Sequence, residues 1–154
     1  MNSPSTSNAN RTVRTPRSQR QLRGTVKAIR PASVSDDVVL DVGDGIEIVA
    51  SITNEAVEDL RLEPGRPAVA LIKASSIMLS PDEAVRTSAH NRLTGVVSAV
   101  IAGQVSTEAK IQLAGGRVLT AVVTSEALRE LDLAEGSSCC AFFNASQVLI
   151  AVHG

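Results

Sequence analysis

Aromatic side chains are almost missing from this chain: its 154 residues include two Phe and no Trp or Tyr. A function built on stacking bases or sugars against rings is therefore not expected, and any core must be aliphatic. Cysteine is confined to two neighbours, Cys139 and Cys140. A strand would point them to opposite faces, so no disulfide framework is available and a reduced compartment is implied. With only His90 and His153 beside them, the chain lacks a Cys/His zinc set and a Cys-His nucleophile pair. Long apolar runs are also lacking. Stretches such as Ala68 to Ile72 and Val148 to Val152 fall far short of the roughly 20 residues of a membrane span. The N-terminus has no apolar centre of the signal-peptide kind, so a cytoplasmic protein with no membrane partner is expected.

Acid is absent from the first 23 residues, where Arg11, Arg14, Arg17, Arg20 and Arg23 give a local charge of +5. The net charge is −1, so the remainder carries −6 and the chain reads as a basic arm on an acidic body. Apart from Met1 and Ala9, Met1 to Asn10 are Ser, Asn, Thr and Pro with almost no apolar surface to bury, which predicts a disordered arm over residues 1–16. The arginines could touch phosphates, but a solvated linker explains them as well, and nucleic acid is not expected as a partner.

What the chain does contain is a repeat. Shifted by 71 residues, Leu22 to Leu79 aligns without a gap on Leu93 to Ile150, with 17 of 58 positions identical. The matches include Leu22 and Gly24 with Leu93 and Gly95, Val34-Ser35 with Val105-Ser106, Thr53 with Thr124, and Gly65 with Gly136. Each copy is long enough for a small domain of its own, here 17–80 and 88–154 with a linker at 81–87.

Within a copy the pattern is mostly strand. Gly24 to Ile29 and Val38 to Val42 are β-branched and apolar, Gly43-Asp44-Gly45 is a hairpin signal, and Ile46 to Ile52 alternates. Thr53 then caps a short helix that packs Val57, Leu60 and Leu62 inward and stops before Pro64-Gly65. Strands follow at Ala68 to Ile72 and Ser76 to Leu79. The second copy repeats the plan, with Thr124 as cap and Val148 to Val152 as its last strand. The fold class is all-β with one short helix per repeat, two tandem OB-like barrels closed to remove their edges. Units this small gain from burying surface against each other or another chain.

Several spaced motifs recur in this frame. The second copy has Ser88-Ala89-His90-Asn91-Arg92-Leu93-Thr94-Gly95, Gly103-Gln104-Val105-Ser106, Val123-Thr124-Ser125 and Asn144-Ala145-Ser146. The first has Arg17-Ser18-Gln19-Arg20-Gln21-Leu22-Arg23-Gly24, Ile52-Thr53-Asn54 and Lys73-Ala74-Ser75. Over residues 17–152 these resemble the Mop (TOBE-type) molybdate-binding domain, whose tandem form occurs in molbindins and in the C-terminal half of ModE-type regulators. The resemblance implies molybdate or tungstate as bound ligand, no catalysis, and a dimer or trimer of the tandem pair with sites at its interfaces. It also implies that the Val34-Ser35 and Val105-Ser106 segments lie at subunit contacts.

The chemistry agrees with such a ligand. A tetrahedral dianion needs donors only: amides, hydroxyls and one or two cations. The resemblance places the first site at Gln19, Arg20, Thr53, Lys73, Ala74 and Ser75, and a weaker second one at Ser88, His90, Thr124 and Ser146. Gln19 and His90 stand where the family has arginine, and Asn144 stands where it has lysine, so the first copy is expected to bind better. Each residue also has a plainer role open to it: Thr53 and Thr124 as helix caps, Lys73 as a solvated strand end, His90 as a loop residue. The functions left open are an oxyanion carrier for storage, homeostasis or sensing, the effector module of a molybdate-responsive regulator, and a scaffold that has lost anion binding. No acid/base pair or nucleophile recurs at matched positions, so an enzyme is not expected.

Overall fold

The computed structural model describes residues 19–153; the predicted arm over residues 1–16, with Arg17 and Ser18 of the first motif, lies outside the described residues. The first repeat forms β1 (Gln19–Arg30), β2 (Ser35–Asp41), β3 (Glu47–Thr53), helix α1 (Asn54–Asp59), β4 (Pro67–Lys73), a 3-10 turn (Ala74–Ser76) and β5 (Met78–Ser80). The second forms β6 (Asn91–Ile101), β7 (Ser106–Gln112), β8 (Val118–Thr124), helix α2 (Ser125–Leu131), β9 (Ser138–Phe143), a 3-10 turn (Ala145–Gln147) and β10 (Val148–Ala151). Among the described residues no helix is long and apolar enough to cross a membrane.

The hairpin signal is realised as expected: Gly43, Asp44 and Gly45 all take positive φ, and the Gly43 amide donates to Asp41 Oδ1 at 2.8 Å. Both predicted caps form. Thr53 Oγ1 accepts the Ala56 amide at 3.2 Å, and Thr124 Oγ1 accepts the Ala127 amide at 3.1 Å, satisfying N–H groups that a helix start leaves without a carbonyl.

The sheets cut across the repeats. One sheet has the order β10-β4-β1-β2-β3 and the other β5-β9-β6-β7-β8, so each repeat lends its last strand to the other's sheet. The two exchanges share one register: Leu71 pairs with Leu149 and Phe142 with Met78, positions that correspond under the 71-residue shift. The turn between β4 and β5 explains the exchange. Lys73 and Ile77 flank it in extended conformation, so the chain carries on to the neighbouring sheet instead of folding back on β4. The expected closed barrels are thus two five-stranded sheets. Edge strands β10 and β3 come into contact without a hydrogen-bonded ladder between them.

Each sheet curls at a matching place. Register shifts fall between Val26 and Ala28 in β1 and between Val97 and Ala99 in β6, bulges that bend the long strand over the core. Just before them stand Gly24 and Gly95, where a Cβ would lie 2.4 Å from Asp41 O and 2.5 Å from Gln112 O. Only glycine permits that approach.

The buried side chains form one continuous cluster running from Leu22 to Val148 through both repeats. It is aliphatic as expected, with Phe143 fully buried as its one large ring. Each buried Leu or Ile contributes about 2 kcal/mol. Cys139 and Cys140 are both buried free thiols, which means β9 is covered on both faces. Burial raises both thiols, Cys139 to about 11.

Candidate anion-binding site

The expected site residues sit at strand ends. Lys73 closes β4, is exposed and has no ion pair among the described residues. After it the Ala74 methyl is fully buried, which anchors the 3-10 turn and leaves Ser75 exposed. The second repeat copies this geometry: Asn144 is exposed, Ala145 is 1% exposed and Ser146 faces solvent. The turns differ in one detail. The Asn144 amide donates to Gln147 Oε1 at 3.3 Å, whereas the first repeat has the shorter Ser76 at that place.

Register brings some of the expected residues together and separates others. Gln19 is the Cα partner of Lys73, and Arg20 of Ile72. Thr53 lies elsewhere. It pairs with Ser35 beyond the Arg30 end of β1, at the far end of the sheet from Lys73. The strand exchange supplies each threonine strand with a turn from the other repeat: Ala145–Gln147 packs on β3, which ends at Thr53, and Ala74–Ser76 packs on β8, which ends at Thr124. The Lys73 turn and Thr53, grouped together from the sequence, are therefore not neighbours in one sheet.

Both threonines are exposed. Their caps use an oxygen lone pair and leave the O–H proton free to donate, so capping and anion binding are compatible. Ser88 and His90 are exposed in the segment before β6, His90 one residue beyond the Asn91–Phe143 pair. That position matches Gln19 opposite Lys73.

Asn91, in the same motif, has a role that sequence reasoning did not find. It is 2% exposed. Its Nδ2 donates to Val49 O at 2.8 Å and its Oδ1 accepts the Val49 amide at 2.7 Å. The side chain thus takes the place of a strand partner for edge strand β3 and ties the second repeat to the first. The available signal was an amide residue at the first inward position of an alternating strand.

Two loops carry the most exposed valines, Val34 at 73% and Val105 at 76%. Each loop is pinned to the following helix by a different pair at matched positions. Asn54 Nδ2 donates to Asp36 Oδ1 at 2.6 Å, and Thr107 and Ser125 hydroxyls bond at 2.7 Å. The Val34 and Val105 carbonyls accept the Asn54 and Ser125 amides.

Comparison with known proteins places this architecture. The TOBE domain model matches residues 18–79 and 87–150. The chain belongs to the TOBE domain family. It is 37% identical over 134 residues to the molybdenum transport protein ModE of Azotobacter vinelandii, covering 87% of this chain and 50% of that one. To the molybdenum-pterin-binding protein MopA of Rhodobacter capsulatus it is 39% identical over 132 residues, covering 85% and 50%. A relative at 32% identity is the DNA-binding transcriptional dual regulator ModE of Escherichia coli K12. The chain spans about half the length of these curated relatives. A solved structure of the cytoplasmic molybdate-binding protein ModG, with molybdate bound, superposes with a TM-score of 0.84 at 36% identity, covering 87% of this chain and 96% of that one.

Proposed function

We propose that this protein binds molybdate or tungstate in the cytoplasm, without catalysis, for molybdenum storage, homeostasis or sensing. The observation that carries the reading is the Lys73-Ala74-Ser75 turn: an exposed cation without an ion-pair partner among the described residues, leading a turn anchored by a buried methyl, in a chain related to molybdate-binding proteins. Lysine supplies a point charge, and the turn amides with the Ser75 hydroxyl supply directional donors that a dianion accepts at every oxygen. Thr53, Gln19 and Arg20, with Ser88, His90, Thr124 and Ser146 in the second repeat, complete the donor sets. Because Thr53 and Lys73 lie at opposite ends of the sheet, the complete site forms between turns of different repeats or different chains. A symmetric homo-oligomer, a dimer or trimer of the tandem pair, fits this reading through the Val34 and Val105 tips.

Isothermal titration with molybdate, tungstate, sulfate and phosphate tests it, comparing wild type with Lys73→Ala. Tight binding of the larger anions that rejects sulfate and falls at least about tenfold in the variant is expected, since a charge-assisted hydrogen bond is lost. Silence toward all four anions would refute it and leave a scaffold. The names of the regulatory relatives favour a second reading, an effector module acting through DNA. DNA retention at low salt, lost on deleting residues 1–23, would support that reading, and no retention would remove it.

A further inference from the structure

A second basic feature of the first repeat lies at the other end of β4, away from Lys73. Arg66 precedes Pro67, which pairs with Thr25, while Lys73 pairs with Gln19. A cavity of about 290 Å³ opens here, lined by Arg23 and Arg66 together with Pro67, Val69, Ala151 and Val152, with no Asp or Glu on its walls. One Nη of Arg66 donates to His153 O at 3.3 Å. The Arg66 Nε is buried and has no hydrogen-bond partner. Among the described residues neither Arg23 nor Arg66 has an ion pair.

The fold does not require these cations. Arg66 O accepts the Val26 amide at 2.9 Å and Val26 O accepts the Gly65 amide at 2.8 Å; in the second repeat Ser137 O and Val97 O accept the Val97 and Gly136 amides at 2.9 and 2.8 Å. The backbone frame is the same, yet the second repeat holds Ser137 where the first holds Arg66, and Thr94 where it holds Arg23. A buried N–H donor without an acceptor is rare and costly, and among the described residues none accepts from this one.

We propose that this cavity is a second, separate anion site, for a small organic carboxylate. Its carboxylate accepts from the Arg66 and Arg23 guanidinium groups, whose planar donor edges match that shape. Its apolar body lies against Pro67, Val69 and Val152. A tetrahedral dianion suits the cavity poorly, because its four oxygens need donors all round and most of these walls are apolar. The volume is at the lower limit for ligand pockets and suits a compact molecule.

The test is an amide ¹H–¹⁵N spectrum of the full chain titrated with benzoate, benzyl alcohol and molybdate, repeated with Arg66→Ser and Arg23→Thr. Both substitutions install the residue that the second repeat carries, so the frame tolerates them. Saturable benzoate shifts at Ala151, Val152 and His153, absent with benzyl alcohol and weakened about tenfold or more in either variant, are expected. Four results would overturn the proposal: no benzoate shift, equal shifts with benzyl alcohol, shifts that survive both substitutions, or molybdate displacing benzoate from the same residues. The last would assign the cavity to inorganic oxyanions.

Discussion

The two repeats share a backbone and differ in chemistry, and the difference separates what the fold needs from what a ligand needs. Bulges, capping threonines, buried turn alanines and Gly24 with Gly95 recur at the same places. Cations do not. Lys73, Arg66 and Arg23 of the first repeat face Asn144, Ser137 and Thr94 of the second. Pairs that hold a loop change freely as long as the bond survives, as Asp36–Asn54 and Thr107–Ser125 show. Shared positions thus report packing constraints, and the unshared cations are where the two repeats differ in the charge they offer a ligand.

The comparison breaks most sharply at a shared position. Gly24→Ala or Gly95→Ala drives a Cβ against a strand carbonyl and should cost about 3 kcal/mol in either repeat, measured by urea denaturation. Unequal losses would show that the repeats are not equivalent frames.

Asn91 comes next, because its first-repeat counterpart is Arg20. Asn91→Leu leaves the Val49 N–H and C=O without their partner and should cost about 2 kcal/mol. Hydrogen exchange at the Val49 amide should rise with it, and an unchanged rate would remove the clamp from the account.

A smaller contrast separates Cys139 from Ala68 of the first repeat. Burial raises the Cys139 thiol to about 11, above its unfolded value, so its stabilising effect is complete below the unfolded value of about 9 and is lost as pH rises through 11. Stability should fall by about 1 kcal/mol by pH 10, and Cys139→Ala should flatten that fall. An unaltered pH profile in the variant would assign the alkaline loss to other groups.

Much of this was legible in the sequence, for local reasons. Gly43-Asp44-Gly45 forces a turn, and a threonine before Asn54-Glu55 or Ser125-Glu126 forces a cap, whatever surrounds them. The strand exchange was not legible. Two copies with one pattern offer β5 equally good partners in β4 and β9, and only the extended exit of the Ala74–Ser76 turn decides between them. Nor was the register that sets Lys73 opposite Gln19 at one end of β1 and Thr53 beyond its other end, so that two residues grouped in the motif set come apart in the sheet. Alternation in β9 put the two cysteines on opposite faces, but could not show that both faces are covered. Arg66, between Gly65 and Pro67, reads as a solvated loop residue until β10 of the other repeat is laid beside it.

The most direct test of the claim that charge at the turn makes the anion site is an exchange of the two leading residues. Molybdate titration of Lys73→Asn, Asn144→Lys and the double variant would be read for affinity and for the number of ions bound per chain. The account predicts that Lys73→Asn weakens binding at least about tenfold, and that Asn144→Lys regains affinity at the second turn. Wild-type binding by Lys73→Asn would contradict it, because the anion would then be held without the lysine that distinguishes the first repeat.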